Sequence, residues 1–284
     1  MGRPLHVKPC PAGTSGRGFF TKSGSAAMAL AATPMLALAG RDDEEDDDGR
    51  RGGGVRFDHG VASGDPRKQR VILWTRVTPT GTPKNVMVKY VVATDLQLRQ
   101  VVERGEFRTN AARDYTVKVD ADDLRPGTTY YHRFEARGVE SPIGRTRILP
   151  AGPAQRLRMA VVSCFNHAAG YFNAYRRIAE RADLDAVIHL GDYLYEYGAN
   201  QFGSTRTPEP ATEMVTLSDY RTRHAQYKRD ADSQQVHPQH PMICIWDDHQ
   251  ITNDSWTGGA ENHTEGAEGS WPERVKVGLQ ACYE

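Results

Sequence analysis

The sequence predicts an α+β chain of two domains: an antiparallel β-sandwich over residues 56–150, then an α/β domain over residues 154–284. Three observations predict it. Between residues 56 and 150 the apolar runs are short, alternate with polar residues and are broken by turn signals. Past residue 154 the apolar runs are continuous and are joined by stretches of helical spacing, the pattern of a parallel sheet with crossover helices. Three of these later runs break at their ends into Cys, Asp, Tyr, His and Asn. In open α/β sheets ligands bind beyond the carboxyl ends of the strands, so three such ends imply one shared site.

The chain has 284 residues, enough for two domains of ordinary size. Lys and Arg number 36 and balance 36 Asp and Glu, so no large basic field exists to bind nucleic acid. Residues 1–39 have a basic start (Arg3, Lys8, Arg17, Lys22), an Ala-, Leu- and Met-rich run and a small-residue cleavage site at Ala37-Leu38-Ala39. That is the pattern of an export signal peptide, and it predicts a periplasmic or secreted protein handed to export machinery. The run is short and contains Pro34, which argues against a spanning helix. Residues 15–22 (SGRGFFTK) resemble a twin-arginine signal but carry Gly16 where the first Arg would stand. Arg41 stands where a lipidated Cys would be, so no lipid anchor is expected. Residues 40–55 hold an acidic block and a Gly cluster, which cannot bury apolar surface and read as a linker.

In the first domain, strands are expected over residues 70–77, 85–94, 115–120 and 129–136, with turns at Gly64-Asp65-Pro66, Pro79-Thr80-Gly81 and Arg125-Pro126-Gly127. This spacing suits a sandwich of fibronectin or immunoglobulin type. Its role reads as packing and positioning. In the second domain, buried strands are expected over residues 157–163, 186–190 and 242–246, and helices over 170–182 and 217–228, the latter with Ser218 as a possible N-cap.

The strand ends carry the chemistry. Gly191-Asp192 lets the chain turn sharply and aims a carboxylate into the crevice, although Gly-Asp is also an ordinary turn. Asp247-Asp248-His249 puts two carboxylates and an imidazole after a buried strand. Burying both acids is costly unless a cation compensates, and the plain alternative is one Asp capping a helix. Cys164 ends the first strand. Alone it reads as a small buried hydrophobe, but an odd number of cysteines remains once Cys10 leaves with the signal, which argues for a free or metal-bound thiol.

The segments FDHGVASGDP (57–66), VILWTRVTP (71–79), SPIGRTR (141–147), SCFN (163–166), HLGDYLYEYG (189–198), LSDYRTRHAQYK (217–228), WDDHQITND (246–254) and GAENHTEG (259–266) together resemble the PhoD-type alkaline phosphatases. That group is a branch of the metallophosphoesterase superfamily that includes secreted phospholipase D enzymes. The resemblance implies an incomplete α/β metallophosphoesterase domain here. It also implies a metal-activated hydrolysis of phosphomonoesters or phosphodiesters at an iron (Fe3+) and calcium (Ca2+) centre. Cys164, Asp192 and Tyr195 would serve iron, with Asp192 bridging to calcium, and Asn253 would face calcium. Asp248 and His249 would meet the substrate phosphate, of a small ester or a phospholipid head group. Two departures stand out: Gln250 replaces the usual Glu, and the family's further Asp and His ligands find no counterpart before Glu284. An open apolar sheet edge, weak metal retention and impaired turnover are the expectations that follow. The alternative from another class is a non-catalytic exported β-sandwich binding module carrying a decayed phosphatase remnant.

Overall fold

Alternation with period two builds the N-terminal layers, because successive strand side chains point to opposite faces. The structure is a computed structural model that describes residues 54–284. The expected export signal over residues 1–39, and the linker as far as residue 53, lie outside the described residues. The strands are β1 (Val61–Gly64), β2 (Val71–Arg76), β3 (Val86–Ala93), β4 (Val101–Thr109), β5 (Thr116–Ala121), β6 (Thr129–Ala136) and β7 (Gly144–Arg147). Along β2 and β6 buried and half-buried residues alternate strictly. The buried set of β2 and β5 (Val71, Leu73, Val117) packs with that of β3 and β6 (Val88, Val92, Tyr130, Phe134) in one core. Each such fully buried side chain contributes about 1.5–3 kcal/mol from area alone.

One antiparallel sheet runs β7-β6-β3-β4, and the two-residue strand Val139–Glu140 adds to β6. The other sheet has six strands. Three come from the C-terminal segment: β8 (Met159–Val162), β9 (Ala186–His189) and β10 (Met242–Cys244). Its order is β8-β9-β10-β1-β2-β5, with β8, β9 and β10 mutually parallel. Met242 pairs with Gly64, so strands from both sides of residue 150 share one sheet. The corner before β6 is closed by Tyr130, whose hydroxyl oxygen accepts from Arg125 N at 2.8 Å.

Four α-helices are described: α1 (Asn173–Ala179), α2 (Leu217–Arg229), α3 (Ser233–Gln239) and α4 (Trp271–Tyr283). Helix α2 starts at Leu217 as expected, but its cap differs. Thr216, not Ser218, is the N-cap, in a capping box with Asp219, because Asp219 can return its carboxylate to the Thr216 N–H. Ser218 instead offers its carbonyl to Thr222. The sequence reading has no strand at β4, which alternates exposed and half-buried residues because it lies on a sheet edge. It has no α3 or α4 either. No described helix is long and apolar enough to cross a membrane.

The run over residues 157–163 was expected to be buried on both faces. It is not: Ala160 and Val162 pack against the helix-side core, while Met159 and Val161 are 44% and 59% exposed. The same uncovered face continues at the strand ends in Leu190 and Ile245, 47% and 55% exposed. Parallel strands are ordinarily covered on both sides, so this apolar face and the β8 edge are open surface in the described residues.

Candidate metal centre

Three loops leave the carboxyl ends of β8, β9 and β10 and meet. Cys164 N donates to Gly191 O at 3.3 Å, and Phe165 N donates to Asp192 O at 3.1 Å, which laces the first loop to the second. Gly191 makes this possible. Its φ is +103°, and a Cβ there would sit 2.5 Å from Asp247 Cβ, so only glycine lets the second and third loops touch.

The sequence-predicted residues gather around Asp192. Cys164 Sγ lies 3.5 Å from Asp192 Oδ2, and the Tyr195 hydroxyl donates to the same oxygen at 3.4 Å. Candidate ligand atoms of Asp192, Asp248 and His249 all lie within 4.8 Å of one another. Asn253 is joined less directly. Its side-chain Nδ2 donates to Glu261 at 3.0 Å, and its backbone N–H reaches Glu196 at 2.8 Å. It therefore shares a carboxylate with His249 and makes no hydrogen bond to Cys164, Asp192 or Tyr195 among the described residues.

The two acids of the Asp pair take different positions. Asp247 caps the short 3₁₀ turn Asp248–Gln250 in a capping box with Gln250. Asp248 faces the cluster while its two oxygens accept from His249 N and Asp254 N at 3.0 and 2.5 Å.

Electrostatics describe a site short of positive charge. Burial pushes the Asp192 carboxyl up, His249 and the Cys164 thiol oppose this, and Asp247 and Asp248 add to it. Burial and the Asp192 charge push the Tyr195 phenol far up. A cation would reverse both tendencies by favouring carboxylate and phenolate. The donors also fit one. Asp192 Oδ1 is buried with no hydrogen-bond partner, a costly state for an acid oxygen unless something binds it. Thiolate and phenolate suit iron, and carboxylate and amide oxygens suit calcium. The free thiol is exposed, and no disulfide competes for it among the described residues.

Two residues carry the site without having been singled out. Glu196 is fully buried and accepts from His249 Nδ1 (2.8 Å), Thr252 Oγ1 (3.2 Å), Asn253 N (2.8 Å) and Asn262 Nδ2 (3.2 Å). Burial disfavours a charged imidazole at His249. The Glu196 hydrogen bond and the nearby acids outweigh this and hold its pKa above the ordinary value. The signal was a Glu inside an aromatic run, since a buried Glu requires partners. Arg223, 1% exposed, binds the loop after Tyr195 from beneath. Its guanidinium donates to the carbonyls of Tyr195, Tyr197, Glu209, Pro210 and Thr212. Arg223→Met keeps the stem and removes these donors. It should cost about 3 kcal/mol or more, read by denaturant melt, and loosen the segment that carries Tyr195.

Fold and site together define a class: an α+β protein with a candidate metal centre at the carboxyl ends of its parallel strands. The chain belongs to the PhoD-like phosphatases: residues 159–284 match the PhoD-like phosphatase family, and residues 43–150 match the PhoD-like phosphatase N-terminal domain. It is 43% identical over 209 residues to alkaline phosphatase D of Bacillus subtilis (strain 168), covering 69% of this chain and 36% of that protein. A solved structure of PhoD matches with TM-score 0.75 and 39% identity, over 80% of this chain and 45% of that one. The chain thus spans between about a third and a half of the length of these relatives.

Proposed function

We propose that this chain is an exported, metal-dependent phosphatase of the alkaline phosphatase D kind, acting on phosphomonoesters or phosphodiesters in the periplasm or outside the cell. One observation carries the reading: Asp192 has one buried oxygen without a partner, while its other oxygen meets Cys164 and Tyr195 and the carboxylate lies close to Asp248 and His249. Cys164, Asp192 and Tyr195 would hold iron, and Asp192 and Asn253 would serve calcium. Bound cations would polarise the phosphoryl oxygens and lower the pKa of a water. Glu196 engages His249 Nδ1 and so presents Nε2 toward the substrate phosphate as a proton donor, while Asp248 helps place it. The fibronectin- or immunoglobulin-type sandwich over residues 56–150 positions this half, and the Tyr130 corner supports that reading, since such sandwiches carry one.

Two cations, each with about four to eight ligands including waters, need more donors than the described residues bring together. We therefore also propose weak metal retention and low turnover for this polypeptide by itself. A preparation with high turnover would sink that part alone.

The test is elemental analysis for iron and calcium, with p-nitrophenyl phosphate hydrolysis, on the wild type and Cys164→Ala. Wild type should carry iron after purification in its presence, and the variant about tenfold less or lower still. Metal absent from both would favour a non-catalytic binding module instead.

A further inference from the structure

A second cavity lies behind the candidate metal centre, on the far side of Gln250, between the helices and the sheet. Its volume is about 290 Å³, the share of roughly ten water molecules. One face of α2 lines it: Arg221, His224, Ala225 and Lys228, spaced as i, i+3, i+4 and i+7. Ile72, Trp74, Met242 and Trp246 supply apolar walls.

Several of its polar groups are buried without a partner, while Arg76, Lys118 and Arg221 are answered by Asp114, the Tyr283 carbonyl and Glu284. Lys228 Nζ stands 5.2 Å from the Trp74 ring centroid and 4.8 Å from that of Tyr193, and its hydrogen bond is to His237 Nε2 at 3.2 Å. That nitrogen is already shared with the Tyr193 hydroxyl at 2.8 Å. Ser63 and Gln250 are 3% and 1% exposed and line the cavity, and neither Ser63 Oγ nor Gln250 Nε2 has a partner among the described residues. His224 Nε2 is also buried without one. The acids nearby do not answer these donors. Asp114 and Glu284 are ion-paired to Arg76 and Arg221 at 2.7 and 2.6 Å, and Asp65 is exposed. Buried donors left unpaired each cost about 1–3 kcal/mol, so the site is built for an acceptor.

We propose that this cavity binds a small organic oxyanion, a carboxylate or phosphonate-like head on a short apolar tail. The head meets Lys228, Gln250 Nε2 and Ser63 Oγ, and the tail lies against Trp74, Met242 and Trp246. Gln250 makes the cavity distinctive in this chain. Its Oε1 accepts from Asp247 N and Asp192 N at 2.7 and 3.3 Å, which fixes the amide so that the Nε2 donor is the end left over. A Glu at 250 would keep those two bonds and present an acceptor to the cavity instead. The ligand would therefore sit one side chain away from Asp192.

The experiment titrates the intact chain with hexanoate, hexylphosphonate, hexanol and hexylamine, following tryptophan emission, since Trp74 and Trp246 line the cavity. EDTA is present throughout, so binding of the phosphonate to metal makes no contribution. At least one anion should bind saturably and about tenfold or more tighter than hexanol and hexylamine, a difference of roughly 1.4 kcal/mol. The tighter of the two names the head group. Lys228→Met and Gln250→Glu should each weaken that binding about tenfold, and Lys228→Arg should restore it, with thermal melts showing that each variant is folded. Hexylamine or hexanol matching the anions, unchanged binding in folded Lys228→Met and Gln250→Glu, or no saturable change in wild type would each overturn the proposal.

Discussion

Glu196→Ala should be the most damaging single change near the site, costing about 3–5 kcal/mol by denaturant melt. The reason is arithmetic in donors. Glu196 receives four hydrogen bonds, from His249, Thr252, Asn253 and Asn262, and is itself fully buried. Truncation leaves His249 Nδ1, Asn253 N and Asn262 Nδ2 without that acceptor in a place water reaches poorly, while Thr252 Oγ1 keeps the Asn262 carbonyl at 3.0 Å. Glu196→Gln should cost less, since its carbonyl oxygen still accepts from Thr252, Asn253 and Asn262. Its amide, however, meets His249 Nδ1 with no charge to offer. A variant as stable as wild type would show that the carboxylate is not the hub it looks to be.

This pair also sets a pH dependence in metal-free protein. The folded pKa of His249 lies above its ordinary 6.5, so its contribution is present below pH 6.5 and is lost as pH rises through the raised value. Burial pushes Glu196 up, but the His249 hydrogen bond and charge and the Asn253 N–H outweigh it and leave the pKa below 4.5. Its contribution is present above pH 4.5 and is lost as pH falls through the depressed value. The stability gap between wild type and Glu196→Gln should therefore be widest between about pH 4.5 and 6.5 and narrow on either side. Melts across pH 3–9 in EDTA would read it, and a flat gap would count against the charged pair.

Gly191→Ala should cost about 3 kcal/mol or more and abolish metal uptake together. Two effects add. An L side chain at φ +103° costs about 1–3 kcal/mol, and overpacking against Asp247 costs a similar amount. The second effect matters for the site, because pushing Asp247 away moves the turn that carries Asp248 and His249. Gly138→Ala is the control. Its φ is +76°, but a Cβ there has nothing within 4 Å, so it should lose only the backbone part and leave metal uptake intact. Equal losses at both positions would remove the steric argument.

Much of the scaffold was legible in the residues. Alternation placed β2, β3, β5 and β6 to within a residue or so, because a half-buried antiparallel strand writes its burial directly into period two. The three strand ends, and the approach of Cys164, Tyr195, Asp248 and His249 to Asp192, follow from parallel strands opening toward one crevice, whereas Asn253, grouped with them in sequence, bonds Glu196 and Glu261 instead. The charged edge strand β4 was illegible because its half-buried side mixes Val101 and Phe107 with Glu103, Gly105 and Thr109, which breaks the apolar alternation. Helix α3 was illegible because Pro238 interrupts its pattern, and α2 began at Leu217 as read but is capped by Thr216 rather than Ser218, because Asp219 completes a box with Thr216.

What the sequence by itself determined is local: strand periodicity, the sharp turn at Gly191, the donor types at three strand ends, and the motifs that place the chain in its family. What only the tertiary structure decided is which groups share a neighbour. Glu196 as acceptor for four donors, Arg223 clamping five carbonyls, Met242 pairing with Gly64 to join the two segments in one sheet, and the donor-lined cavity at Gln250 all join residues that lie far apart in the chain. The physical reason is that burial turns each of these polar atoms into an obligation, and the partner that meets it is chosen by packing in space rather than by spacing along the backbone.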